Sequence, residues 1–398
     1  MRVYALKDTL QASFGGEWGN DCILGEGVAV LRTTNFTNTG NISYCNVVER
    51  DIADGKVQKK KLRVGDIILE KSGGTKNTPV GRVVYFDRSD KIYLCNNFTQ
   101  VLRPNLQIVD GKYLFYCLYA KYQFHVTDGL YNKTTGIQNL QMDRYFNLQI
   151  PVVDKEQQYK ICKQLDALRA AIEKKKQVLR KFEDLVKSQF IEMFGDPNLN
   201  SKSLPTNAMT EVCDIIDGDR GVNYPKQEEF TSDGYCLFLS AKNVTKEGFL
   251  FEECIFISKE KDHILRNGKL TRGDVVLTTR GTIGNLAFYT DCVPYQNVRI
   301  NSGMVILRMR STILNEQFFI QQFRLQLDEI KRKIASGSAQ PQLPISTMKK
   351  IKMLLPPIEL QNQFAAFVEQ TDKSKFRIKQ SLEKLEKCYK ALLQKYFG

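Results

Sequence analysis

Two glycine-rich loops carry the side chains in this sequence that are best suited to recognition chemistry. Residues 71–77 are Lys-Ser-Gly-Gly-Thr-Lys-Asn and lead to Pro-Val-Gly-Arg at residues 79–82, whereas residues 280–285 are Arg-Gly-Thr-Ile-Gly-Asn. Glycine lets a backbone approach another surface closely, while Ser, Thr and Asn donate hydrogen bonds and Lys or Arg adds positive charge. Arg and Asn also match the edges of guanine and adenine in the major groove. A solvated hairpin loop favours the same residue types, so each loop alone is compatible with both interpretations.

Further donors lie on neighbouring segments of both halves of the chain. Taken singly, most polar residues of this kind only face water. Their recurrence in two places of a basic chain favours contact with DNA. The aromatic residues of 113–124 and 318–323 recur at helical spacing, which is typical of a core rather than of base stacking. The predicted DNA-contacting residues are Arg32, Thr33, Asn35, Lys71, Ser72, Gly73, Thr75, Lys76, Arg82, Lys133, Gln138, Lys242, Asn243, Arg280, Gly281, Thr282, Asn285, Arg299, Asn301 and Gln340.

The charge of the chain supports a polyanionic partner. Among 398 residues, Lys and Arg number 58 against 44 Asp and Glu, which gives a formal charge of +14. Such a balance indicates nucleic-acid binding, and the alternative is that the excess charge only maintains solubility. The length exceeds one ordinary core and predicts two domains of roughly 150 residues each, with connecting helices.

The rest of the composition argues against several kinds of site. The 10 cysteines have no two-residue spacing and there are 2 histidines, so neither a zinc site nor a disulfide framework is expected. Scattered thiols without a secretory signal indicate a reduced, cytoplasmic protein. No apolar run approaches the roughly 20 residues of a membrane span.

Enzymatic signatures are missing from the sequence. There is no phosphate-binding loop, no paired metal-ligand spacing and no Asn/Asp-Pro-Pro-aromatic run of the kind that amino-methyltransferases use. Asp66 and Glu70 could be imagined as nuclease carboxylates, but Thr278 takes the place of Glu70 in the second half of the chain. We therefore interpret both acids as turn residues with surface carboxylates. The sequence predicts no catalytic residue, no metal ligand and no cofactor bound by this chain.

The loops follow segments with the composition of strands. Runs rich in β-branched and aromatic residues predict strands at 28–31, 66–70, 80–86 and 92–95. Asp110 is predicted to cap an apolar helix from about residue 112 to 124, because an Asp directly before an apolar periodic run is a typical helix start.

The second half of the chain repeats the first. Residues 62–69 (Leu-Arg-Val-Gly-Asp-Ile-Ile-Leu) match residues 270–277 (Leu-Thr-Arg-Gly-Asp-Val-Val-Leu). Residues 30–35 match residues 238–243 at the same offset, and a helix starting at Asn315 corresponds to the helix after Asp110. A duplicated unit of domain plus helix predicts a pseudo-two-fold molecule.

Each half ends in a long amphipathic helix. Pro151 followed by Glu156 and Gln157 matches Pro356 followed by Gln361, which predicts equivalent helix starts. Apolar residues recur at alternating spacings of three and four through both helices, as in a coiled coil. The predicted seam residues are Ile161, Leu165, Leu168, Ile172, Leu179, Phe182, Val186, Val368, Ile378, Leu382, Leu385, Tyr389 and Leu392.

The predicted fold is α+β, with two tandem domains of mixed strands and helices separated by two long helices that pack as an antiparallel coiled coil. The predicted boundaries are 1–153 for the first domain, 196–357 for a linker and the second domain, and 154–195 and 358–398 for the helices. About 40 helical residues form a rod of roughly 60 Å. Such a rod spans on the order of 17 base pairs at about 3.4 Å per base pair.

This organisation resembles the specificity subunits of type I restriction-modification systems. The resemblance rests on the doubled order of domain and helix, the Gly-Asp strand motif at 65–66 and 273–274, the Pro-Val-Gly-Arg stretch at 79–82, and Pro-x-x-x-x-Glu-Gln at 151–157. It covers essentially the whole chain. The second helix departs from the family pattern at 359–363, where Glu and Gln are not adjacent.

The resemblance implies a non-catalytic DNA-binding subunit. In this family, each of two target recognition domains reads one half of a split DNA sequence, and the helices set the spacer between the halves. The family also implies two docked methyltransferase subunits that carry S-adenosylmethionine, joined by restriction subunits that use ATP and Mg. Two alternatives are a coiled-coil scaffold that binds only proteins, and a stand-alone DNA methyltransferase or nuclease.

Overall fold

The computed structural model describes two compact units. Unit 1 consists of residues 1–176 with 380–398, and unit 2 consists of residues 177–379. Each unit combines strands and helices around hydrophobic cores of its own. The described residues are 1–23, 25–75, 77–134, 137–310, 313–335 and 342–398.

The first part of the chain alternates short strands with helices. Its helices are α1 (Asp54–Lys60), α2 (Gly111–Gln123), α3 (Met142–Phe146) and α4 (Lys155–Phe194). Its strands are β1 (Arg2–Ala5), β2 (Leu10–Gly15), β3 (Val28–Leu31), β4 (Val48–Arg50), β5 (Ile67–Glu70), β6 (Ser72–Gly73), β7 (Val83–Tyr85), β8 (Tyr93–Cys95), β9 (Thr99–Pro104), β10 (Tyr131–Thr134), β11 (Ile137–Leu140) and β12 (Gln149–Val152).

The central sheet of unit 1 is antiparallel, with the strand order β2-β9-β5-β7. Side chains alternate across a strand, so Ile67 and Leu69 of β5 pack in the core that contains α2, while Ile68 packs in a second core. A second sheet has the order β4-β3-β8, in which β3 and β8 run parallel. Asp110 caps α2 as predicted, because its carboxylate accepts hydrogen bonds from the backbone N–H groups of Lys112 and Tyr113.

The second part of the chain has a similar series of elements. Its helices are α5 (Met209–Val212), α6 (Lys259–Ile264), α7 (Glu316–Ala335), α8 (Ile345–Met348) and α9 (Ile358–Phe397). Its strands are β13 (Thr206–Ala208), β14 (Cys213–Asp217), β15 (Cys236–Leu239), β16 (Val244–Thr245), β17 (Gly248–Phe249), β18 (Phe256–Ile257), β19 (Val275–Thr278), β20 (Leu286–Phe288), β21 (Val298–Ile300), β22 (Met304–Met309) and β23 (Lys352–Leu354).

Two sheets of unit 2 repeat the two main sheets of unit 1. The order β14-β22-β19-β20 is again antiparallel, and β18-β15-β21 again contains one parallel pair, β15 with β21. Val275 and Leu277 pack in the core that contains α7, whereas Val276 packs in another core. The internal repeat in the sequence therefore corresponds to a repeated topology.

The long helices α4 and α9 pack against each other within each unit. In unit 1 the first half of α4 meets the last half of α9, where the Tyr396 hydroxyl donates to Gln164 Oε1 at 2.9 Å. In unit 2 the last half of α4 meets the first half of α9, where the Phe190 ring lies 5.4 Å from that of Phe364. The helices thus run antiparallel, and the predicted α+β fold class is confirmed.

The predicted seam residues are all buried or half-buried, and those near the middle of the helices, such as Leu179 and Leu385, are half-buried. The sequence prediction missed several fully buried aromatic residues near the helix ends, including Phe190, Phe364 and Phe397. At these ends the buried face of the helix also packs against the core of its unit. The Phe190 ring, for example, stacks on that of Phe318 of α7, with 5.5 Å between the ring centroids.

Two details of the sequence prediction need correction. The strand predicted over 80–86 is shorter, since Gly81 has a φ of +106° and ends the preceding turn just before Val83. The residue equivalent to Gln361 is Gln158 rather than Gln157. Gln158 and Gln361 are both buried and make matching hydrogen bonds, whereas Gln157 is exposed.

Candidate DNA interface

The Gly-Asp motif of unit 1 is a turn closed by a buried ion pair. Asp66 accepts a hydrogen bond from the Arg63 backbone at 2.8 Å and two from the Arg103 guanidinium, at 2.8 and 2.7 Å. The predicted turn role is correct, but the predicted surface carboxylate is wrong because Asp66 is only 1% exposed. Burial is tolerated since Arg103, on the neighbouring strand, compensates the charge.

Unit 2 contains the same ion pair. Asp274 accepts from the Thr271 backbone at 2.7 Å and twice from Arg308 at 2.8 Å. Sequence analysis did not identify Arg308 or its counterpart in unit 1. The signal available in the sequence was an Arg at a similar distance after each Gly-Asp motif. Arg103 lies 37 residues after Asp66, and Arg308 lies 34 residues after Asp274.

Glu70 is also buried, and the prediction of a surface carboxylate was wrong for it too. Its Oε2 lies 2.6 Å from Arg82 Nε. Burial raises the pKa of the Glu70 carboxyl, although the Arg82 guanidinium opposes this shift. Arg82 further donates to the backbone carbonyls of Thr33 at 3.2 Å and Phe36 at 3.3 Å. Its guanidinium is therefore engaged within unit 1.

The loop after β5 is held beside the β10–β11 hairpin. Ser72 pairs with Asn139 across β6 and β11, and the Ser72 hydroxyl donates to Asn139 Oδ1 at 2.6 Å. Gln138 is buried, and its Oε1 accepts from the Val80 backbone at 3.1 Å. The sheet β10-β11-β6 thereby joins the loop to β10, the strand that contains Lys133.

Lys71 is only partly accessible at the start of this loop. Its ammonium donates to Gln100 Oε1 at 3.3 Å, and burial lowers its pKa. Thr75, further along the loop, is exposed. Among the described residues of this loop, Thr75 is therefore more accessible to a partner than Lys71.

The turns that contain Asn35 and Asn243 are built in the same way. Asn35 is buried, accepts from the Arg32 backbone at 2.9 Å and donates to the carbonyl of Ser43 at 3.0 Å. Asn243 is buried, accepts from the Ser240 backbone at 2.9 Å and donates to two carbonyls. Both amides hold their own turn, so their donors are used inside the fold.

The loop after β19 in unit 2 is held by hydrogen bonds between uncharged groups. The Thr278 hydroxyl donates to the carbonyl of Thr282 and accepts from the Asn285 backbone at 3.0 Å. The Asn285 amide donates to the carbonyl of Val244 at 2.9 Å. Arg280, two residues after the end of β19, is exposed.

Arg299 is buried and holds unit 2 together. It forms an ion pair with Asp262 and donates to the carbonyls of Asn267 at 2.7 Å and Leu265 at 2.9 Å. Asn301 is also engaged, since its Oδ1 accepts from the Gly303 backbone at 2.9 Å. Neither side chain presents these groups to a partner.

The exposed and half-exposed candidates concentrate on the turns after β3 and β15 and the loops after β5 and β19. Lys242 lies at one such turn, where its ammonium meets the equally exposed Glu253 at 2.6 Å. Lys76 and Gln340 lie outside the described residues. Arg82, Asn285 and Asn301 are half-exposed as well, but their side chains make the contacts described above. The remaining accessible candidates are Arg32, Thr33, Lys71, Ser72, Gly73, Thr75, Lys242, Arg280, Gly281 and Thr282.

Among the residues that the structure describes, no group of three or more His, Cys, Asp and Glu side chains is placed to hold a metal ion. Over the same residues, no helix combines the length and apolarity needed to cross a bilayer.

Comparisons with known proteins bear on the whole chain. The family model for the type I restriction modification DNA specificity domain matches residues 24–181 and again residues 206–387. The type I restriction enzyme MjaIX specificity subunit of Methanocaldococcus jannaschii is 24% identical over 373 residues, which cover 88% of this chain and 82% of that protein. The putative MjaX specificity subunit of the same organism is 23% identical and covers 98% of this chain and 92% of its own.

Solved structures show the same fold. The type I restriction-modification S subunit from M. genitalium superposes with a TM-score of 0.58 at 17% identity, covering all of this chain and 96% of that one. A chain from a study of the assembly and conformational transition of a type I system gives 0.52 at 16% identity and covers 100% and 97%. The resemblance inferred from the sequence is confirmed: this chain belongs to the type I restriction-modification DNA specificity family and is the non-catalytic DNA specificity subunit of such a system.

Proposed function

We propose that each unit contains one target recognition domain, and that each domain reads one half of a bipartite DNA target. The domains are residues 1–153 and 196–357, and the helices at 154–195 and 358–398 connect them. The observation that carries this proposal is the duplication itself. Each unit has the same order in its four-stranded sheet, the same ion pair between a buried Asp and an Arg of the neighbouring strand, and the same turn held by a buried Asn.

The proposed DNA contacts are the accessible candidates on the turns and loops. Arg32 and Lys71 in unit 1, with Lys242 and Arg280 in unit 2, supply positive charge for phosphates. Arg280 is the strongest candidate for a base contact, because it is exposed in the loop after β19 and a guanidinium matches the two acceptors of guanine.

The proposed partners follow from the family. They are double-stranded DNA, two methyltransferase subunits and restriction subunits, which together act in the cytoplasm. S-adenosylmethionine, ATP and Mg are proposed to reside on those partner subunits. The present chain contributes recognition and spacing.

The long helices are proposed to set the spacer between the two halves of the target. Each helix has 40 residues, and at 1.5 Å per residue this length corresponds to about 60 Å. That distance matches roughly 17 base pairs of DNA.

The test of recognition is to map methylated adenines in cells that express the methyltransferase subunit with or without this chain. We expect methylation at a split sequence only when the chain is present. Arg280→Ala should relax one half of that sequence by about 10-fold or more, as expected for the loss of one base contact. A combined Ser72→Ala and Thr75→Ala variant should relax only the other half. An undivided target, or equal relaxation of both halves, would contradict the proposal.

The test of spacing is to insert seven residues into each long helix, after Lys176 and before Gln380. Seven residues preserve the coiled-coil phase and lengthen the rod by about 10 Å, or about three base pairs. We expect unchanged half-sites with a longer spacer. Three-residue insertions, which rotate the helix faces out of phase, serve as the control and should abolish methylation. A seven-residue variant that methylates the original spacer would overturn the role of the helices.

A further inference from the structure

One side chain in unit 1 connects the two segments that carry the accessible DNA candidates. Arg82 stands just before β7 and forms the ion pair with Glu70, at the end of β5. The same guanidinium donates to the carbonyls of Thr33 and Phe36, in the turn after β3. Arg82 therefore ties the turn at 33–35 to the strand from which the loop at 71–75 departs.

Unit 2 makes the same connection at the same position. The Glu70 backbone donates to the Arg82 carbonyl at 2.8 Å, and the Thr278 backbone donates to the Asn285 carbonyl at 3.0 Å, so the two pairs occupy equivalent places in their sheets. The Asn285 amide then reaches the carbonyl of Val244, directly after the turn at 241–243.

The two connections differ in chemistry. In unit 1 they use a charged pair, of which the Arg82 side chain is 14% and the Glu70 side chain 3% exposed. In unit 2 they use uncharged groups: the Asn285 side-chain amide donates to the carbonyl of Val244, and the Thr278 hydroxyl accepts from the Asn285 backbone N–H. A charged hydrogen-bonded pair out of water is stiff and directional.

We propose that Glu70–Arg82 and Thr278–Asn285 are positioning pairs, each of which holds the turn and the loop of its own unit at a set separation and so determines the selectivity of one half-site without touching a base. This inference rests on the proposed bipartite recognition. It reassigns Arg82 and Asn285 from predicted DNA contacts to residues that act through the segments they hold.

The test uses variants that leave no unpaired buried charge. Glu70→Thr with Arg82→Ala removes both charges and the connection, so unit 1 should fold while discrimination at its half-site falls by about 10-fold, comparable to the loss of one base contact. Glu70→Thr with Arg82→Asn installs the unit 2 pair in unit 1 and should restore most of that discrimination. Asn285→Ala should affect only the other half-site.

The readout is the ratio of adenine methylation at correct and singly mismatched half-sites, measured on the assembled complex with the methyltransferase subunit. A loss confined to one half-site and its rescue by the Asn variant support the proposal. Unchanged discrimination in the Thr/Ala variant, equal loss at both half-sites, or no rescue would overturn it. If the wild-type complex itself methylates an undivided target, bipartite recognition fails and this inference fails with it. If the wild-type target is bipartite but the Glu70→Thr/Arg82→Ala variant keeps its discrimination, only the proposal of positioning pairs is overturned.

Discussion

Gln158 and Gln361 make the same three hydrogen bonds in the two units. Gln158 Oε1 accepts from the Asp110 backbone at 2.7 Å, and its Nε2 donates to two carbonyls, those of Val153 and Ile108. Gln361 Oε1 accepts from the Asn315 backbone at 2.9 Å, and its Nε2 likewise donates to two carbonyls. Each buried amide thus links the start of a long helix to the N-terminus of another helix of the same unit, α2 for Gln158 and α7 for Gln361.

Gln158→Ala and Gln361→Ala should each destabilise the unit concerned. The substitution leaves a backbone N–H and carbonyls without partners in a buried place, which costs about 1–3 kcal/mol. The measurement is the free energy of unfolding in urea. Gln157→Ala and Gln363→Ala are the matched controls, because these neighbours are exposed, and each should change stability by about 0.5 kcal/mol or less. Equal losses of stability in Gln157→Ala and Gln158→Ala would contradict the finding that Gln158, and not Gln157, is the buried equivalent of Gln361.

Asp66→Asn should cost more stability than Asp274→Asn. Both acids are buried, but the partner Arg103 is 11% exposed whereas Arg308 is 40% exposed. Loss of the carboxylate therefore leaves a buried charge at Arg103, which costs about 3–5 kcal/mol, while Arg308 remains solvated and its variant should lose about 1–3 kcal/mol. Chemical unfolding of the two variants tests this order, and a larger loss for Asp274→Asn would contradict it.

Phe190→Ala should destabilise unit 2 strongly. Its ring is fully buried and lies 5.1–5.5 Å from the rings of Phe194, Phe364 and Phe318. Removing such a ring leaves a cavity and typically costs about 3–5 kcal/mol. Phe376→Ala is the matched control, because this ring also belongs to a long helix in unit 2 but is 61% exposed. That change should stay within about 0.5 kcal/mol, and similar losses in thermal or urea unfolding would refute the assigned packing.

Asp262 should make unit 2 sensitive to acid. Burial by itself raises the pKa of this carboxyl, but hydrogen bonds from Lys269 and Arg299 outweigh burial and hold the pKa below its ordinary value. A lowered pKa means that the ionised carboxylate stabilises the fold above the ordinary Asp pKa of about 3.9 and that this stability is lost as the pH falls below it.

The corresponding measurement compares wild type with Asp262→Asn. The difference in unfolding free energy should be largest near pH 6 and should shrink as the pH falls below about 4, because the unfolded chain protonates Asp262 there and the folded protein does so only at a lower pH. Other acids titrate in both proteins, so the difference isolates Asp262. A difference that is independent of pH, or that grows on acidification, would contradict the ion pair with Arg299.

Local pattern was sufficient for much of the fold and for the general role. The apolar period of three and four predicted both 40-residue helices, and Asp110 marked the start of α2 correctly. Matching segments such as 62–69 and 270–277 predicted the repeated topology, because strands with the same alternation pack in the same way. Charge and the duplicated loops pointed to DNA.

The candidate site was predicted less well than the fold. Arg299 looked like a free donor, but its partner Asp262 lies 37 residues away in sequence and meets it only in the folded unit. Glu70 looked like a surface acid for the same reason, because Arg82 reaches it across the sheet. Whether a polar side chain faces a partner or holds the fold depends on contacts that no local pattern contains.

The sequence by itself therefore determined the duplicated α+β organisation, the long helices and the DNA-binding character, since periodicity and charge are local or additive properties. The tertiary structure decided that Gln158 rather than Gln157 links the start of α4 to the backbone of Asp110. It also decided that the Arg82 and Asn285 side chains donate hydrogen bonds to backbone carbonyls of their own units. It did so because burial and hydrogen-bond partners arise from segments that are distant in sequence and adjacent only after folding.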